Sequence, residues 1–350
     1  MEPCTFCQRT FPINTEGKLM IRANRKLERK SIEEIFMDVE NKTYNVERDA
    51  LFVPYGSLEQ LHTFVTRLTG SLTGGQIEET EGNVIGTEDQ NSSVYPVYPI
   101  KEMALRIDHP LYTEIIQNRL FQSFMQPIVS AADTNVYGYE FLLRPNSDDY
   151  PFSPGELFQF STRAGMQSML DSQARVSAIQ KASEELDDEK AVFINFLPST
   201  IYSPSFCLRT TFEAVKKYAV KPENLIFEVV ETEKIADFSH LEAIFAEYRR
   251  HGVKVALDDI GSGYATVDVL KKLTPHFAKI DRELIRDCHL SPLKQSKIKH
   301  IAKTAEEIGT KVLAEGIETE EEFSAVKGYV DLAQGYYFGK PAAKPASVEN

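Results

Sequence analysis

The chain has 350 residues, of which 42% are hydrophobic and 26% are charged, and its formal net charge is −13. This composition is that of a globular protein, and the length suffices for one large α/β barrel with a smaller second domain. The negative charge argues against binding to DNA, to an RNA polymer or to an anionic membrane surface, because each of these requires a basic patch. A small phosphorylated ligand held by metal ions remains compatible with it.

The sequence contains no apolar run of about 18 residues, and it starts without the basic and apolar segments of a signal peptide. We therefore expect a cytoplasmic protein with no membrane span. The four cysteines do not form the pattern of a secreted disulfide framework. Cys4 and Cys7 form a Cys-x-x-Cys, but no second cysteine pair follows, which favours two unpaired thiols over a zinc or redox site.

Short helices and strands are predicted over the first 80 residues. Ser31 is placed to cap a helix that continues through Phe36. Ala50 to Pro54 is strand-like, and Leu58 to Leu68 carries apolar residues at helical spacing. These elements predict a small α/β module of unknown function.

Residues 81 to 98 are rich in turn-forming residues and carry no sustained apolar period, which predicts a linker. We therefore expect an N-terminal module over residues 1–80, a linker over residues 81–105 and a second domain over residues 106–350.

Strand-like runs alternate with amphipathic helical stretches after the linker. The eight runs are Gln126–Val129, Gly138–Leu143, Val192–Phe196, Leu225–Val230, Lys254–Leu257, Phe277–Ile280, Lys311–Ala314 and Ala333–Phe338. Helices are predicted at Leu241–His251, Val267–Lys272 and Ser296–Ile308. Eight strands favour a (β/α)8 TIM-like barrel over an open doubly wound sheet, and no Gly-x-Gly-x-x-Gly follows the first strand.

Polar residues recur at or near the ends of these predicted strands. They are Glu140, Asn195, Glu228, Asp258, Asp259, Lys279, Asp281, Glu315, Glu318 and Gln334. An isolated acidic residue at a strand end is usually a helix cap or a surface charge. Successive strands of a barrel, however, deliver such residues to one rim, which is where barrel enzymes build their active sites.

Carboxylates crowded at one rim repel each other unless cations neutralise them, so the pattern indicates bound divalent metal. Oxygen ligands without histidine or cysteine favour Mg²⁺ or Mn²⁺ over zinc. The adjacent pair Asp258 and Asp259 is compatible with two metals about 3.5 to 4 Å apart, a spacing that suits in-line displacement at a phosphodiester.

The ordered set of motifs from about residue 115 to residue 345 resembles the EAL-domain family. The matching segments are Gln126-Pro127-Ile128, Glu140-Phe141-Leu142-Leu143-Arg144, Asp258-Asp259-Ile260-Gly261-Ser262-Gly263, Lys279-Ile280-Asp281, Ala314-Glu315-Gly316-Ile317-Glu318 and Gln334-Gly335-Tyr336. Each motif alone is weak, and their order and spacing together are specific. The resemblance implies a barrel whose first strand is antiparallel.

The resemblance also implies a role for each matching residue. Glu140, Asn195, Glu228 and Asp258 correspond to ligands of one metal, and Asp258 would bridge to a second metal that Asp259 helps to hold. Lys279 would contact the attacking water or a phosphate oxygen, and Glu315 would be the general base. The remaining residues would contact the ligand or support the site: Gln126, Arg144, Gln334, Glu318, Asp281, Glu231 and Ser262.

Two positions depart from the family pattern. Phe141 replaces the small middle residue of the motif that names the family, and strand alternation predicts that its ring faces the surrounding helices. The chain reads Asn195-Phe196-Leu197-Pro198 where the family usually has Asn-Leu-Ser-Pro, and it keeps the candidate ligand Asn195.

The family reaction is metal-dependent hydrolysis of the bacterial second messenger cyclic di-GMP to linear pGpG, so the resemblance implies a cyclic-guanylate-specific phosphodiesterase. The principal alternative is a receptor that binds cyclic di-GMP without cleaving it and signals through its N-terminal module. An interaction protein that has lost the nucleotide, and a sugar or aldol-type barrel enzyme, are further alternatives. The family often pairs barrels near the Asp-Asp loop, so a homodimer is compatible with the resemblance.

Overall fold

The computed structural model of the protein describes residues 13–23, 26–45, 49–86, 96–229, 238–261 and 266–345. Two compact units are present. The first combines the chain up to Leu120 with Pro145–Leu170, and the second combines Phe121–Arg144 with the chain from Asp171 onward. Cys4 and Cys7 lie outside the described residues.

The first unit contains an antiparallel sheet in the order β2-β3-β1-β4-β5. Its strands are β1 (Gly17–Ala23), β2 (Thr43–Asn45), β3 (Ala50–Tyr55), β4 (Thr80–Gly86) and β5 (Tyr98–Pro99). Its helices are α1 (Lys26–Ile35), α2 (Leu58–Ser71), α3 (Gly74–Glu79), α4 (Ile100–Asp108), α5 (Pro110–Asn118) and α6 (Pro154–Arg163). A further helix, α7 (Gln167–Glu185), begins in this unit and continues into the second one.

An apolar core holds α1 and α2 against one face of this sheet. Leu19 and Ile21 alternate along β1, so both side chains point to the same face, and they belong to one buried cluster with Phe36 and Phe64. The rings of Phe36 and Phe64 meet edge to face with their centroids 5.6 Å apart. This unit is therefore stabilised mainly by apolar packing.

The predicted strand at Ala50 and the predicted helix at Leu58 are confirmed. Ser57 caps that helix by accepting a hydrogen bond from the Gln60 amide at 3.1 Å. The capping role predicted for Ser31 is wrong, because α1 begins at Lys26 and Ser31 lies inside it.

The first part of the predicted linker is a strand, because Thr80–Gly86 pairs with β1 over its whole length. The turn-forming residues there serve close packing. A Cβ atom added at Gly82 would lie only 2.9 Å from the Met20 carbonyl oxygen of β1, so glycine permits this pairing.

The second unit contains a closed barrel of eight strands, which confirms the predicted fold class. The strands are β6 (Phe121–Ser130), β7 (Val136–Pro145), β8 (Ala191–Phe196), β9 (Leu225–Val229), β10 (Lys254–Ile260), β11 (Phe277–Ile280), β12 (Lys311–Ala314) and β13 (Leu332–Gln334). Strands β7 to β13 are parallel, and β6 runs antiparallel to β13 and is joined to β7 by a short turn. Helices of this unit besides α7 are α8 (Pro204–Cys207), α9 (Arg209–Lys217), α10 (Phe238–Arg250), α11 (Val267–Leu273), α12 (Arg282–Ile285), α13 (Pro292–Glu307) and α14 (Glu320–Val326).

All eight predicted runs correspond to strands, and the last one is shorter than predicted. Strand β13 ends at Gln334, and Gly335 lies so close to Ile317 that an added Cβ would be 2.0 Å from its carbonyl oxygen. The Phe338 amide then donates to the Gly335 carbonyl at 3.1 Å, which turns the chain away from the sheet.

One inward-facing apolar layer fills the barrel. Its buried members, from seven of the strands, are Ile128, Ala191, Phe193, Ile226, Ala256, Phe277, Leu313 and Leu332. Successive side chains on a strand point to opposite faces, so the residue two positions further along faces inward as well. Among the described residues, no helix is long and apolar enough to cross a bilayer.

Candidate active site

Site residues follow the inner apolar layer at the C-terminal end of the parallel strands. Two positions after Phe193, Ile226, Ala256, Phe277, Leu313 and Leu332 come Asn195, Glu228, Asp258, Lys279, Glu315 and Gln334. On β7 the inner apolar position is Gly138, where an added Cβ would approach the Ala191 carbonyl oxygen to 2.3 Å, and Glu140 follows it. The two-residue period of the strands therefore brings these polar groups to one rim.

The Lys279 ammonium lies at the centre of this cluster. Its Nζ is 2.5 Å from Glu315 Oε1, 2.9 Å from Glu228 Oε2, 3.3 Å from Asp258 Oδ1 and 3.8 Å from Glu140 Oε1. Only 1% of the Lys279 side chain is exposed, and Glu228 is fully buried. A buried ammonium is stabilised by such opposite charges, which offset its desolvation.

Hydrogen bonds hold the Glu140 carboxylate from two sides. The amide nitrogen of Asn195 donates to Oε1 at 2.9 Å, and that of Gln334 donates to Oε2 at 2.7 Å. The side chain of Glu140 is thereby fixed in orientation before any ligand binds.

Backbone conformation brings the two consecutive aspartates together. Asp259 has a φ of 54°, in the left-handed region that aspartate tolerates better than most residues. Its amide donates to Asp258 Oδ1 at 2.9 Å. Carboxylate oxygens of Asp258, Asp259 and Glu315 all lie within 4.8 Å of one another, although consecutive side chains of a regular strand point in opposite directions.

The cluster carries more negative charge than Lys279 can balance. Burial and the neighbouring carboxylates raise the pKa of Glu228 and of Glu315 well above the ordinary value. Burial and the Asp258 carboxylate raise the pKa of Asp259 to about 7. Burial opposes the ionisation of Glu140, but the Lys279 ammonium and the two amide donors outweigh it and lower the pKa of that carboxyl.

The donor set fits divalent metal. One ammonium contacts four carboxyl groups, Asp259 adds a fifth beside Asp258 and Glu315, and further positive charge would relieve their mutual repulsion. The buried Oε1 of Glu228 has no hydrogen-bond partner among the described residues, which is costly for a carboxylate oxygen unless a cation binds it. Carboxylate and amide oxygens are the ligands that Mg²⁺, Mn²⁺ and Ca²⁺ prefer.

The ligand-contact candidates Gln126 and Arg144 lie on β6 and β7. Ile128 pairs with Gln334, so Gln126 lies two residues further toward the rim on the antiparallel strand. Its amide nitrogen donates to the Gly339 carbonyl at 3.3 Å. Arg144 donates to the Leu143 carbonyl at 2.7 Å.

The remaining predicted residues differ in their surroundings. Asp281 caps α12 by accepting from the Glu283 amide at 2.7 Å, and its carboxyl adjoins Asp259. Glu318 pairs with Arg282 at 2.6 Å and is 44% exposed, so the structure brings it to that guanidinium rather than to the Lys279 cluster. Glu231 and Ser262 lie outside the described residues.

The two departures from the family pattern leave the cluster intact. Phe141 is buried in the core outside the barrel, as strand alternation predicts. Asn195 keeps its contact with Glu140, and the leucine that follows at position 197 is also buried.

Sequence reasoning missed two buried carboxylates near the rim. Asp171 on α7 accepts a hydrogen bond from the Leu197 amide at 3.0 Å, and Glu322 on α14 accepts from the Glu318 amide at 2.8 Å. The spacing Thr319-x-x-Glu322 is a capping box and could have identified the second. Asp171 and Arg175 are spaced for a helical ion pair, a signal too common to single them out.

Comparison with known proteins agrees with the motifs. The sequence profile of the EAL domain matches residues 111–341. The probable cyclic di-GMP phosphodiesterase PdeG of Escherichia coli is 27% identical over 236 residues, which are 65% of this chain and 45% of that protein. The E. coli antirepressor BluF is 27% identical over 215 residues, 61% of this chain and 52% of BluF. The chain thus spans about half the length of these curated relatives.

Solved structures share the fold. A standalone EAL protein from Vibrio cholerae O395, solved with cyclic di-GMP bound, is 35% identical, with a TM-score of 0.59 over 65% of this chain and 94% of that chain. The BlrP1 protein of Klebsiella pneumoniae is 21% identical with a TM-score of 0.59 over 93% of this chain and 96% of that chain, a likeness that concerns the fold alone. The profile match covers more than half of the chain, in the barrel whose strand ends carry the site. This chain belongs to the EAL-domain family.

Proposed function

We propose that this protein hydrolyses one phosphodiester of cyclic di-GMP to give linear pGpG with the help of divalent metal. The observation that carries the proposal is the cluster of oxygen donors at one rim, in which Lys279 contacts four carboxyl groups; its members are Glu140, Asn195, Glu228, Asp258, Asp259 and Glu315. Relatives named as cyclic di-GMP phosphodiesterases, and the Vibrio cholerae EAL protein solved with this nucleotide, support the choice of substrate.

Glu140, Asn195, Glu228 and Asp258 would hold one metal ion, and Asp258 and Asp259 would hold a second. Mg²⁺ or Mn²⁺ suits the oxygen donors. When bound, such ions neutralise phosphate charge and lower the pKa of water.

Side chains of the protein supply the general base, the stabilising charge and the contacts with the nucleotide. Glu315 in its ionised form accepts a proton from the water whose oxygen attacks phosphorus, while the bond from phosphorus to the 3′ oxygen breaks and that oxygen takes a proton from solvent water to become a hydroxyl. The Lys279 ammonium stabilises negative charge beside the Glu315 carboxylate, 2.5 Å away. Gln126, Arg144 and Gln334 position the nucleotide.

The decisive experiment measures turnover and binding on the same protein. The wild-type chain of 350 residues is incubated with cyclic di-GMP and saturating Mn²⁺ or Mg²⁺. The product pGpG is quantified by chromatography, and nucleotide affinity is measured by calorimetry. Glu315→Gln keeps the size of the side chain and removes its basicity, so turnover should fall by about 10² to 10⁴ while the nucleotide still binds.

Glu320→Gln is the matched control, because Glu320 is exposed on α14 and the same change there should leave turnover unaltered. Partial rescue of Glu315→Gln by more Mn²⁺ would indicate a lost metal ligand rather than a lost base. Tight binding by wild type without any pGpG in either metal would replace the phosphodiesterase with the receptor alternative.

A further inference from the structure

A buried polar network connects α7 to the segment that follows β8. The two oxygens of Asp171 contact different parts of this segment: Oδ1 accepts from the Leu197 amide at 3.0 Å, and Oδ2 accepts from the Thr200 hydroxyl at 2.8 Å. The Leu197 carbonyl accepts from the Thr200 amide at 3.1 Å and lies 2.7 Å from the Thr200 hydroxyl. Both backbone polar groups of Leu197 are thus held, two residues after the candidate ligand Asn195.

The network is anchored on its far side by a second helix. Arg175 forms an ion pair with Asp171 one turn along α7, and its Nε donates to the Thr211 hydroxyl on α9 at 3.2 Å. The Asp171 and Arg175 side chains are only 3% and 2% exposed. A buried carboxylate with this many donors has little freedom to move.

The contact with Leu197 is made through the backbone. The side chain at position 197 can therefore differ from the serine usual in the family without loss of the bond. Asn195 donates to Glu140 at 2.9 Å two residues before this held backbone, although the sequence of the segment departs from the family pattern.

We propose that Asp171 is a positioning residue of the metal site, which acts through Leu197 to orient Asn195. The inference rests on one part of the proposed function, which is that Asn195 binds metal. Residues that hold a metal ligand in position without contacting the metal typically contribute 10-fold to 100-fold to metal affinity.

Asp171→Asn tests the proposal with little change in volume. The asparagine side chain has one acceptor oxygen, and its NH₂ group can only donate. It therefore cannot accept hydrogen bonds from the Leu197 amide on one side and from Thr200 and Arg175 on the other. Mn²⁺ affinity, measured by calorimetry on the full chain without nucleotide, should fall by about 10-fold or more. Thr200→Val removes the hydroxyl contacts with Asp171 and the Leu197 carbonyl but keeps the bond from the Leu197 amide to Asp171, so it should weaken Mn²⁺ binding less.

Thr310→Val is the control for general destabilisation. The buried Thr310 hydroxyl contacts the Pro275 carbonyl at 2.7 Å before β12, at the end of the barrel opposite the site. This variant should lower the melting temperature and leave Mn²⁺ affinity unchanged. If Asp171→Asn fails to fold, Thr200→Val and its Mn²⁺ affinity decide.

Folded Asp171→Asn and Thr200→Val proteins with Mn²⁺ affinity within twofold of wild type would overturn the positioning role, and so would a wild type that binds no Mn²⁺. A wild type that binds Mn²⁺ but makes no pGpG would overturn the proposed function alone, because the Mn²⁺ affinities of the variants would still decide the role of Asp171.

Discussion

The sheet of the first unit and the rim of the barrel use buried positions in opposite ways. Leu19, Ile21 and Phe36 fill the core beside the sheet, and their burial contributes stability. At the rim, Glu228 and Lys279 are just as deeply buried, and their desolvation lowers stability unless partners offset it. Apolar burial stabilises both units, whereas the rim of the barrel is where buried positions carry charge at the expense of stability.

The largest expected effect is a loss of turnover in a variant that remains folded. Asp258→Asn removes a candidate metal ligand, so turnover should fall by about 10³ or more, since several kcal/mol of charge stabilisation are lost. The pKa of Asp258 is raised by burial, so the metal-free variant should be at least as stable as wild type toward urea.

Glu140→Ala should abolish turnover equally but destabilise the protein, because the pKa of Glu140 is lowered by Lys279 and by two hydrogen bonds that outweigh the effect of burial. Exposed Asp148→Asn is the control for both variants. Turnover within tenfold of wild type in both Asp258→Asn and Glu140→Ala would contradict the metal site.

A smaller effect is expected in the pH dependence of the stability of the metal-free protein. Burial and Asp258 raise the pKa of Asp259 to about 7 in the metal-free protein, so the folded state holds a proton that the unfolded state releases near pH 4. Because the folded state binds more protons in this window, the stability of the metal-free protein should fall as pH rises from about 4 to 7.

Mn²⁺ binding should displace protons from Asp259 and from the other carboxyls of the cluster whose pKa burial raises, Glu228 and Glu315, with a release of order one proton or more at pH 6. Calorimetry in buffers of different ionisation enthalpy measures this release. Asp259→Asn should reduce it, and a release equal to that of wild type would assign the proton to another group.

The smallest effect concerns the first unit. Ile21→Val removes one methylene from the apolar core and should cost about 0.5 to 1.5 kcal/mol of unfolding free energy. Turnover at saturating Mn²⁺ and nucleotide should stay within twofold of wild type at 25 °C. A larger loss of turnover in the folded variant would mean that packing in the first unit influences the site.

Local pattern predicted most of the barrel because its strands are short, apolar and separated by amphipathic helices. The β11 and β12 bounds agree at both ends, since Phe277 to Ile280 and Lys311 to Ala314 are continuous apolar runs apart from their lysines. The sequence predicts a linker at β4 because Gly82 and Asn83 disfavour strands locally, and only pairing with β1 stabilises the strand.

The sequence by itself determined which polar residues reach the rim, because a period of two links each to an inward apolar residue on the same strand. The tertiary structure alone decided which of them meet: Lys279 contacts four carboxylates from four different strands or strand ends, whereas Glu318 turns to Arg282. It also revealed Asp171, whose partners Leu197 and Thr200 lie more than 25 residues further along the chain. Contacts between residues so distant in sequence depend on how the helices pack around the barrel, and no local pattern encodes that packing.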